Sequence, residues 1–391
     1  MVTKVHLLFL LTICLLISAG CRRDEAGHAD LLPAQGIAIE PGKYYHLEGL
    51  LGNDSVVFEL ISERSLYDLQ TSVHGYYYYT RDGQPRAVLG SPDSTGMLQL
   101  TEAHMLDDMP PSIQGRLLED GSFMGIWTSA GKQPPKPLRL SPRSGAIALE
   151  VFDQLDSFRL LAARPASPGA QIRFSWLAAK EPEATVANFI NQAIFSALLG
   201  DSLARISPAP AAGLDAAKAA YFDLFRQEVG AMVTEGIISS DEEMLAFSYQ
   251  QEQSVSVYFN RHDLLTLGFS TYTYSGGAHG MHSTQVRSYD LKNKKTYTLD
   301  DILRPGSRAQ LSPALARAVR VRFGMSEEQS LSEFLFEDTI EANSNFGLTD
   351  KGIFFVYAPY EIAAYAFGEI ELFVPFADIR PLLTASFAAS L

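Results

Sequence analysis

The chain has 391 residues, 47% of them hydrophobic, with 45 acidic side chains against 31 basic ones and a formal net charge of −14. That length and apolar content suffice for two domains with cores of their own, while the negative field repels phosphate backbones, so nucleic acid is not an expected partner. The two cysteines, Cys14 and Cys21, both lie near the N-terminus, which leaves stability to core burial rather than to disulfide staples.

Lys4 opens the chain, an apolar run follows from Val5 to Ile17, and then come Ser18, Ala19, Gly20 and Cys21. The run is shorter than the ~20 apolar residues a bilayer-spanning helix needs and has the layout of a secretory signal. Small residues directly before a cysteine resemble the lipobox of bacterial lipoproteins, although Ser18 stands where that motif prefers leucine. The resemblance implies a signal over residues 1–20, cleavage before Cys21, lipid on its sulfur and a place in the cell envelope. Arg22, directly after the cysteine, then implies the outer membrane in a diderm host. An ordinary secretory signal cut nearby is the alternative. Residues 1–21 hold Lys4 and no acid, so the mature charge is −14 − 1 = −15. Residues 21–40 read as a tether.

From 41 to 150 the signals are β and antiparallel. Ser55–Leu60 and Gly75–Thr80 are rich in β-branched or aromatic residues and bounded by turn formers. Asp82-Gly83 between two such runs suits a tight hairpin. Alternation sends two of Tyr76–Tyr79 to each face, and the outward pair, with Trp127, is a candidate glycan platform.

After about Gly145 the pattern changes to α+β, with a mixed or antiparallel sheet and packed helices expected. Ile172–Leu177 reads as a strand. Val186, Phe189, Ile190, Ala193, Ile194 and Ala197 share one face of a helix over Thr185–Leu199, and a second helix is expected near Asp215–Thr234. Strands return at Met244–Gln250, Ser254–Asn260, Leu265–Tyr274 and Gln285–Leu291. A helix near Ser307–Phe323 and strands at Ile353–Tyr357 and Glu369–Phe373 follow.

Three blocks stand in series in this half. They are Thr273-Tyr274-Ser275-Gly276-Gly277-Ala278-His279, then Ser288-Tyr289-Asp290-Leu291 with Thr298-Leu299-Asp300-Asp301-Ile302-Leu303, then Phe354 to Gly368 closing with Val374-Pro375-Phe376. Together they resemble the domain of unknown function at the C-terminus of RsiV, a lysozyme-sensing anti-sigma factor, also found beside the catalytic domain of the peptidoglycan deacetylase PdaC. The resemblance implies a companion α+β domain over 170–270, an RsiV-like domain over 271–391, and binding rather than catalysis. The implied ligand is cell-wall glycan or a lysozyme-like protein, and no cofactor is expected.

Candidate binding residues are Tyr274, Ser275, His279, Tyr360, Glu361 and Tyr365. Tyrosines combine broad apolar faces with hydroxyls, and Glu361 could meet a cationic ligand. Two enzymatic alternatives are weighed against this reading. Ser275 could be a nucleophile activated by His279, which requires hydrogen-bond reach and a third, orienting group. A metal at His279 and His282, with His262 or Asp263, would need three or four convergent donors. A structural lipoprotein bridging envelope layers is a further alternative. The acidic pairs Asp107-Asp108, Glu242-Glu243 and Asp300-Asp301 read as solvated turns or helix starts.

Overall fold

The computed structural model describes residues 32–65, 70–103, 109–129, 131, 133–180, 184–206 and 210–391, with backbone alone at 201–206, 210 and 211. The expected signal, Cys21 and Asp107-Asp108 lie outside the described residues.

Eight antiparallel strands close into a barrel: β1 (Lys43–Leu51), β2 (Asp54–Arg64), β3 (Thr71–Tyr79), β4 (Arg86–Pro92), β5 (Leu98–Glu102), β6 (Ser112–Leu117), β7 (Phe123–Thr128) and β8 (Lys136–Pro142), with β8 paired back to β1. Period-two alternation places Leu47, Phe58, Tyr77, Leu100, Ile113 and Leu140 in a filled apolar interior. Outward positions such as Gln99, Gln114 and Arg139 are exposed, the reverse of a membrane barrel with its apolar outer band. Gly75 lies on an inward register (φ 154°); a Cβ there would come within 2.0 Å of the Glu59 carbonyl oxygen, so only glycine allows β2 and β3 to approach so closely.

The segment expected to be a featureless tether ends differently. Ile37 N donates to Leu117 O at 2.8 Å and Ile39 is buried in the barrel core, so an apolar residue in a polar stretch caps one mouth of the barrel.

The second layer is a six-stranded sheet in the order β14-β13-β12-β11-β10-β9, built from β9 (Leu149–Arg159), β10 (Gly169–Ala179), β11 (Tyr249–Arg261), β12 (Leu264–Tyr274), β13 (Met281–Asp290) and β14 (Lys295–Thr296). Its one parallel pair, β10 and β11, is joined by helices, as a parallel crossover requires. These are α1 (Ala184–Ile206), bent at Gly200 (φ 76°), and α2 (Pro210–Thr234). Next, α3 (Asp241–Ala246) occupies part of the stretch expected as the Met244–Gln250 strand. A capping box explains it: Ser240 Oγ accepts from Glu243 N at 3.2 Å while Glu243 Oε2 accepts from Ser240 N at 3.0 Å. The expected division at 270/271 falls inside β12, so the sheet runs through it.

The remainder comprises α4 (Leu299–Ile302), α5 (Ser312–Phe323), β15 (Phe346–Leu348), β16 (Gly352–Tyr357), β17 (Ile370–Pro375), α6 (Phe376–Ile379) and α7 (Ala385–Ser390). Leu315 and Val319 of α5 share a core with Ile353, Phe355, Leu372 and Val374. The three-stranded sheet is fastened to the larger one where Thr266 Oγ1 donates to Leu348 O (2.7 Å) and Leu348 N donates to Ser288 Oγ (2.9 Å). The architecture is thus an all-β antiparallel module followed by an α+β region.

Candidate functional site

Two connections distant in sequence meet at one end of the sheet. The β12–β13 hairpin turns through Gly276 (φ 90°) and Gly277 (φ 95°), conformations that an L side chain rarely adopts. Tyr274 ties the turn down by donating its hydroxyl to Gly277 O at 3.1 Å. The β16–β17 connection arrives beside it. Tyr365 donates its hydroxyl to Gly280 O at 2.7 Å, and its ring stacks on His279 with centroids 4.2 Å apart and 25° between planes. Tyr360 extends the row, its ring 5.4 Å from that of Tyr365. Tyr360, Tyr365 and His279 therefore form one aromatic face contributed by both connections.

Tyr360 has φ 67° and is 56% exposed. A bulky residue rarely adopts the left-handed region, and such strain persists only where neighbours enforce it. Glu361 enforces it: Oε2 accepts from Ala358 N at 2.8 Å and Oε1 accepts from Asn343 Nδ2 at 3.0 Å. Asn343 Nδ2 also donates to Val356 O at 2.8 Å. Both oxygens of Glu361 thus take part in shaping the loop, while the side chain stays exposed.

A third segment joins the face unannounced by any motif. Leu335 bridges Ala363, and Phe336 N donates to Ile362 O at 2.8 Å, which ties the 58% exposed Phe336 to the loop that carries the tyrosines. Between Met325 and Asp350 the chain carries Glu327, Glu328, Glu333, Glu337, Asp338, Glu341 and no lysine or arginine. The segment that reaches the face is thus acidic, with Arg320 and Arg308 bonded to its backbone at Gln329 and Ala342.

Beneath it, Glu369 crosses to β13. Its Oε2 accepts from Thr284 Oγ1 at 2.8 Å and lies 3.1 Å from His282 Nδ1, and its Oε1 accepts from Thr284 N. Burial alone would raise the Glu369 carboxyl, but these partners hold it below its usual range. The same carboxylate hydrogen bond raises His282, against its partial burial and with help from its negative charge and that of Glu252.

Ser275 and His279 are both exposed, but the hydrogen bond of His279 Nδ1 goes to Gly280 O at 3.1 Å. Among the described residues no hydrogen bond joins it to Ser275, and the groups that orient its ring are Gly280 O and Tyr365. His262 and Asp263 sit in the β11–β12 turn, at the opposite end of β12 from His279 and His282, a separation of roughly 30 Å along an extended strand. That geometry excludes the four as one metal centre. Among the described residues no group of three His, Cys, Asp or Glu is placed to hold a metal ion.

The tyrosine run is taken up by packing. Tyr77 and Tyr79 line the barrel interior. Tyr76 stacks on Tyr258 at 3.8 Å, and Tyr78 on Phe259 at 5.1 Å. The second sheet therefore covers the pair that would have formed a glycan platform, while Trp127 Nε1 donates to Glu102 Oε1 at 3.1 Å. Glu242-Glu243 and Asp300-Asp301 begin α3 and α4, where carboxylates satisfy unpaired N–H groups. Among the described residues no helix is long and apolar enough to cross a membrane.

Residues 171–282 match the family described as "Deacetylase PdaC" and residues 300–377 match "Protein of unknown function (DUF3298)". The first match ends at His282 and the second contains Tyr360, Tyr365 and Glu369, so the aromatic face joins the two. No curated protein matches the chain. Among solved structures, a DUF3298 family member from Bacteroides fragilis is similar with a TM-score of 0.55 and 22% identity, covering 62% of this chain and 95% of its own. A DUF3298 family protein from Pseudomonas aeruginosa aligns with a TM-score of 0.43 and 17% identity over 61% of this chain and 96% of its own. The chain thus carries segments similar to both families, and the Bacteroides structure shows the shared fold.

Proposed function

We propose that the protein is an extracytoplasmic binding protein of the bacterial envelope, lipid-anchored through Cys21, that meets its ligand on the Tyr360–Tyr365–His279 face. The observation that carries this reading is Tyr360, a strained aromatic side chain held out to solvent by Glu361 and Asn343. Aromatic anchors surrounded by polar residues are the usual energetic centre of a protein interface. The acidic stretch from Glu327 to Glu341 favours a cationic partner, such as a lysozyme-like protein, and would speed encounter at low salt. Cell-wall glycan stacked on the tyrosines is the second ligand class, supported by the aromatic face and the similarity to a deacetylase-named family.

The test is surface plasmon resonance on the mature chain in detergent, with lysozyme, peptidoglycan fragments and an unrelated basic protein of similar charge as analytes. Saturable binding of one of the first two, weakened at least tenfold by Tyr360→Ala, is expected. Equal binding of both basic proteins, unchanged by that substitution, would reduce the face to nonspecific charge attraction. Radiolabelled palmitate entering the wild type but not Cys21→Ser tests the anchor.

A further inference from the structure

The side of the barrel that meets the second sheet is polar as well as aromatic. His46 of β1 and Glu59 of β2 stand directly opposite each other. His46 Nδ1 lies 3.0 Å from both oxygens of Glu59, and its Nε2 lies 3.2 Å from Glu48 Oε1. Both ends of this row reach β11. Glu59 accepts from Tyr44, whose hydroxyl accepts from Asn260 Nδ2, and Glu48 Oε1 lies 3.1 Å from Arg261 Nε. Tyr78, with Asp350 beyond it, is the titratable neighbour on β3, and Arg143 of the β8–β9 connection shares a surface cleft with Glu48 and Arg261.

An imidazole nitrogen bonds to a carboxylate oxygen only through a proton between them. His46 has a carboxylate on each side, so its two contacts need two protons, whereas a neutral histidine brings one. Tyr44 cannot serve as the source, because its hydroxyl, accepting from Asn260, already gives its proton to Glu59. The extra proton therefore belongs to the His46–Glu59 pair, which titrates as one unit. We propose that this proton latches the barrel onto β11, and that its loss as pH rises opens that side of the joint. Glu59 is fully buried and stays, so the bond that breaks is the one to Glu48, which is 26% exposed at the cleft. Glu48 turns toward Arg143 and gives up Arg261, and the neighbouring contact of Val57 and Tyr78 with Phe259 is uncovered. Burial would discharge His46, but the hydrogen bonds and charges of Glu59 and Glu48 raise it above its ordinary value of 6.5. Such a group contributes fully below 6.5, and its share fades as pH climbs through the folded value. The latch is thus shut in acid and released in alkali. Glu63 meets Arg173 and Ser175 of β10 directly, which keeps the barrel attached while the β11 side opens.

The test uses the full chain between pH 6 and pH 8.5. The ring nitrogens of His46, followed by ¹⁵N NMR, should report the loss of the proton. Val57→Cys puts a thiol in the closed joint, and its labelling, read by peptide mass spectrometry, is normalised to that of Ser144→Cys on the exposed connection to cancel thiol ionisation. The normalised rate should rise at least fivefold over the range. Adding Glu48→Gln should hold it within twofold, because an amide can donate to an unprotonated Nε2 and the single proton of a neutral ring then suffices. His46→Gln, which cannot titrate, should also remove the pH dependence and serves where Glu48→Gln does not fold. A His46 ring unchanged over the range, a labelling rate that does not rise, or the same rise in Glu48→Gln overturns the proposal.

Discussion

Asn260 Nδ2 on β11 donates to the Tyr44 hydroxyl on β1 at 2.9 Å, and Tyr44 in turn donates to Glu59 Oε2 at 2.5 Å. The same amide exchanges two 2.9 Å bonds with the backbone of Ile147, just after the barrel. One side chain, 1% exposed, thus joins the barrel, the linker and the sheet.

Removing that amide should loosen the joint. Asn260→Ala leaves the Ile147 N–H and C=O and the Tyr44 hydroxyl short of partners in a buried place, at a cost of about 3 kcal/mol. Urea unfolding checks this. A midpoint within error of the wild type would mean that the barrel docks by its stacked aromatics alone, Tyr76 on Tyr258 and Tyr78 on Phe259.

A second contact between barrel and sheet, from Glu63 of β2 to Arg173 and Ser175 of β10, is acid-sensitive. Burial would raise Glu63, but the charge and hydrogen bond of His74, the charge of Arg173 at 3.4 Å and the Ser175 hydroxyl at 2.8 Å hold it down to about 2. A carboxyl depressed in the folded state stabilises the fold above its unfolded value near 4.5, and that stability is lost as pH falls toward 2. The contribution is of order 3 kcal/mol. His74 works in the opposite sense: its value is raised despite burial, because of Glu63, so its share is complete below about 6.5 and fades as pH rises through the raised value. Stability should fall between pH 5 and pH 2.5, and Glu63→Gln should flatten that slope. An unchanged slope in the variant would assign the acid sensitivity to other carboxylates.

At the aromatic face, stability and binding should move in opposite directions. The left-handed backbone of Tyr360 costs roughly 1–2 kcal/mol that glycine avoids. Tyr360→Gly should therefore keep or raise the Tm while ligand binding is lost. Calorimetry paired with the resonance assay measures both. A clear drop in Tm would make the ring a packing element instead of a contact.

Much of this architecture is legible in local periodicity. The alternation of Ser254–Phe259 and the apolar stripe of Val186–Ala197 correspond to β11 and α1. Periodicity fails where both faces of an element are half covered: β9, with Glu150, Asp153, Asp156 and Arg159 between its apolar residues, shows no clean alternation. It separates Tyr77 from Tyr78 but does not reveal that another sheet covers the outward side. The site shows the same limit. The motifs bring Tyr360, Tyr365 and His279 to notice as residue types, yet the partners that shape them lie elsewhere in the chain. Asn343 holds Glu361, Phe336 enters through a bridge at Leu335, and Glu369 reaches His282 only because β17 comes to lie near β13.

That last pair offers a titration of the site itself. Glu369, the residue directly before β17, bonds to His282 and Thr284 on β13, so it links the end of the tyrosine loop to the strand following His279. Glu369→Gln can still accept from Thr284 through its amide oxygen but removes the negative charge facing His282. The His282 titration, raised in the wild type chiefly by the Glu369 hydrogen bond, should then fall toward the ordinary histidine value near 6.5. Because a raised histidine stabilises the arrangement below its unfolded value and releases it as pH climbs through the folded one, ligand binding in the wild type should weaken over that alkaline limb. In Glu369→Gln the weakening should begin at lower pH. Histidine resonances followed by NMR beside a binding profile from pH 5.5 to 8.5 would establish both. Coincident His282 titrations in the two proteins would show that the pair does not form in solution, and the alignment of Tyr365 on His279 would then rest on the Gly280 hydrogen bond alone.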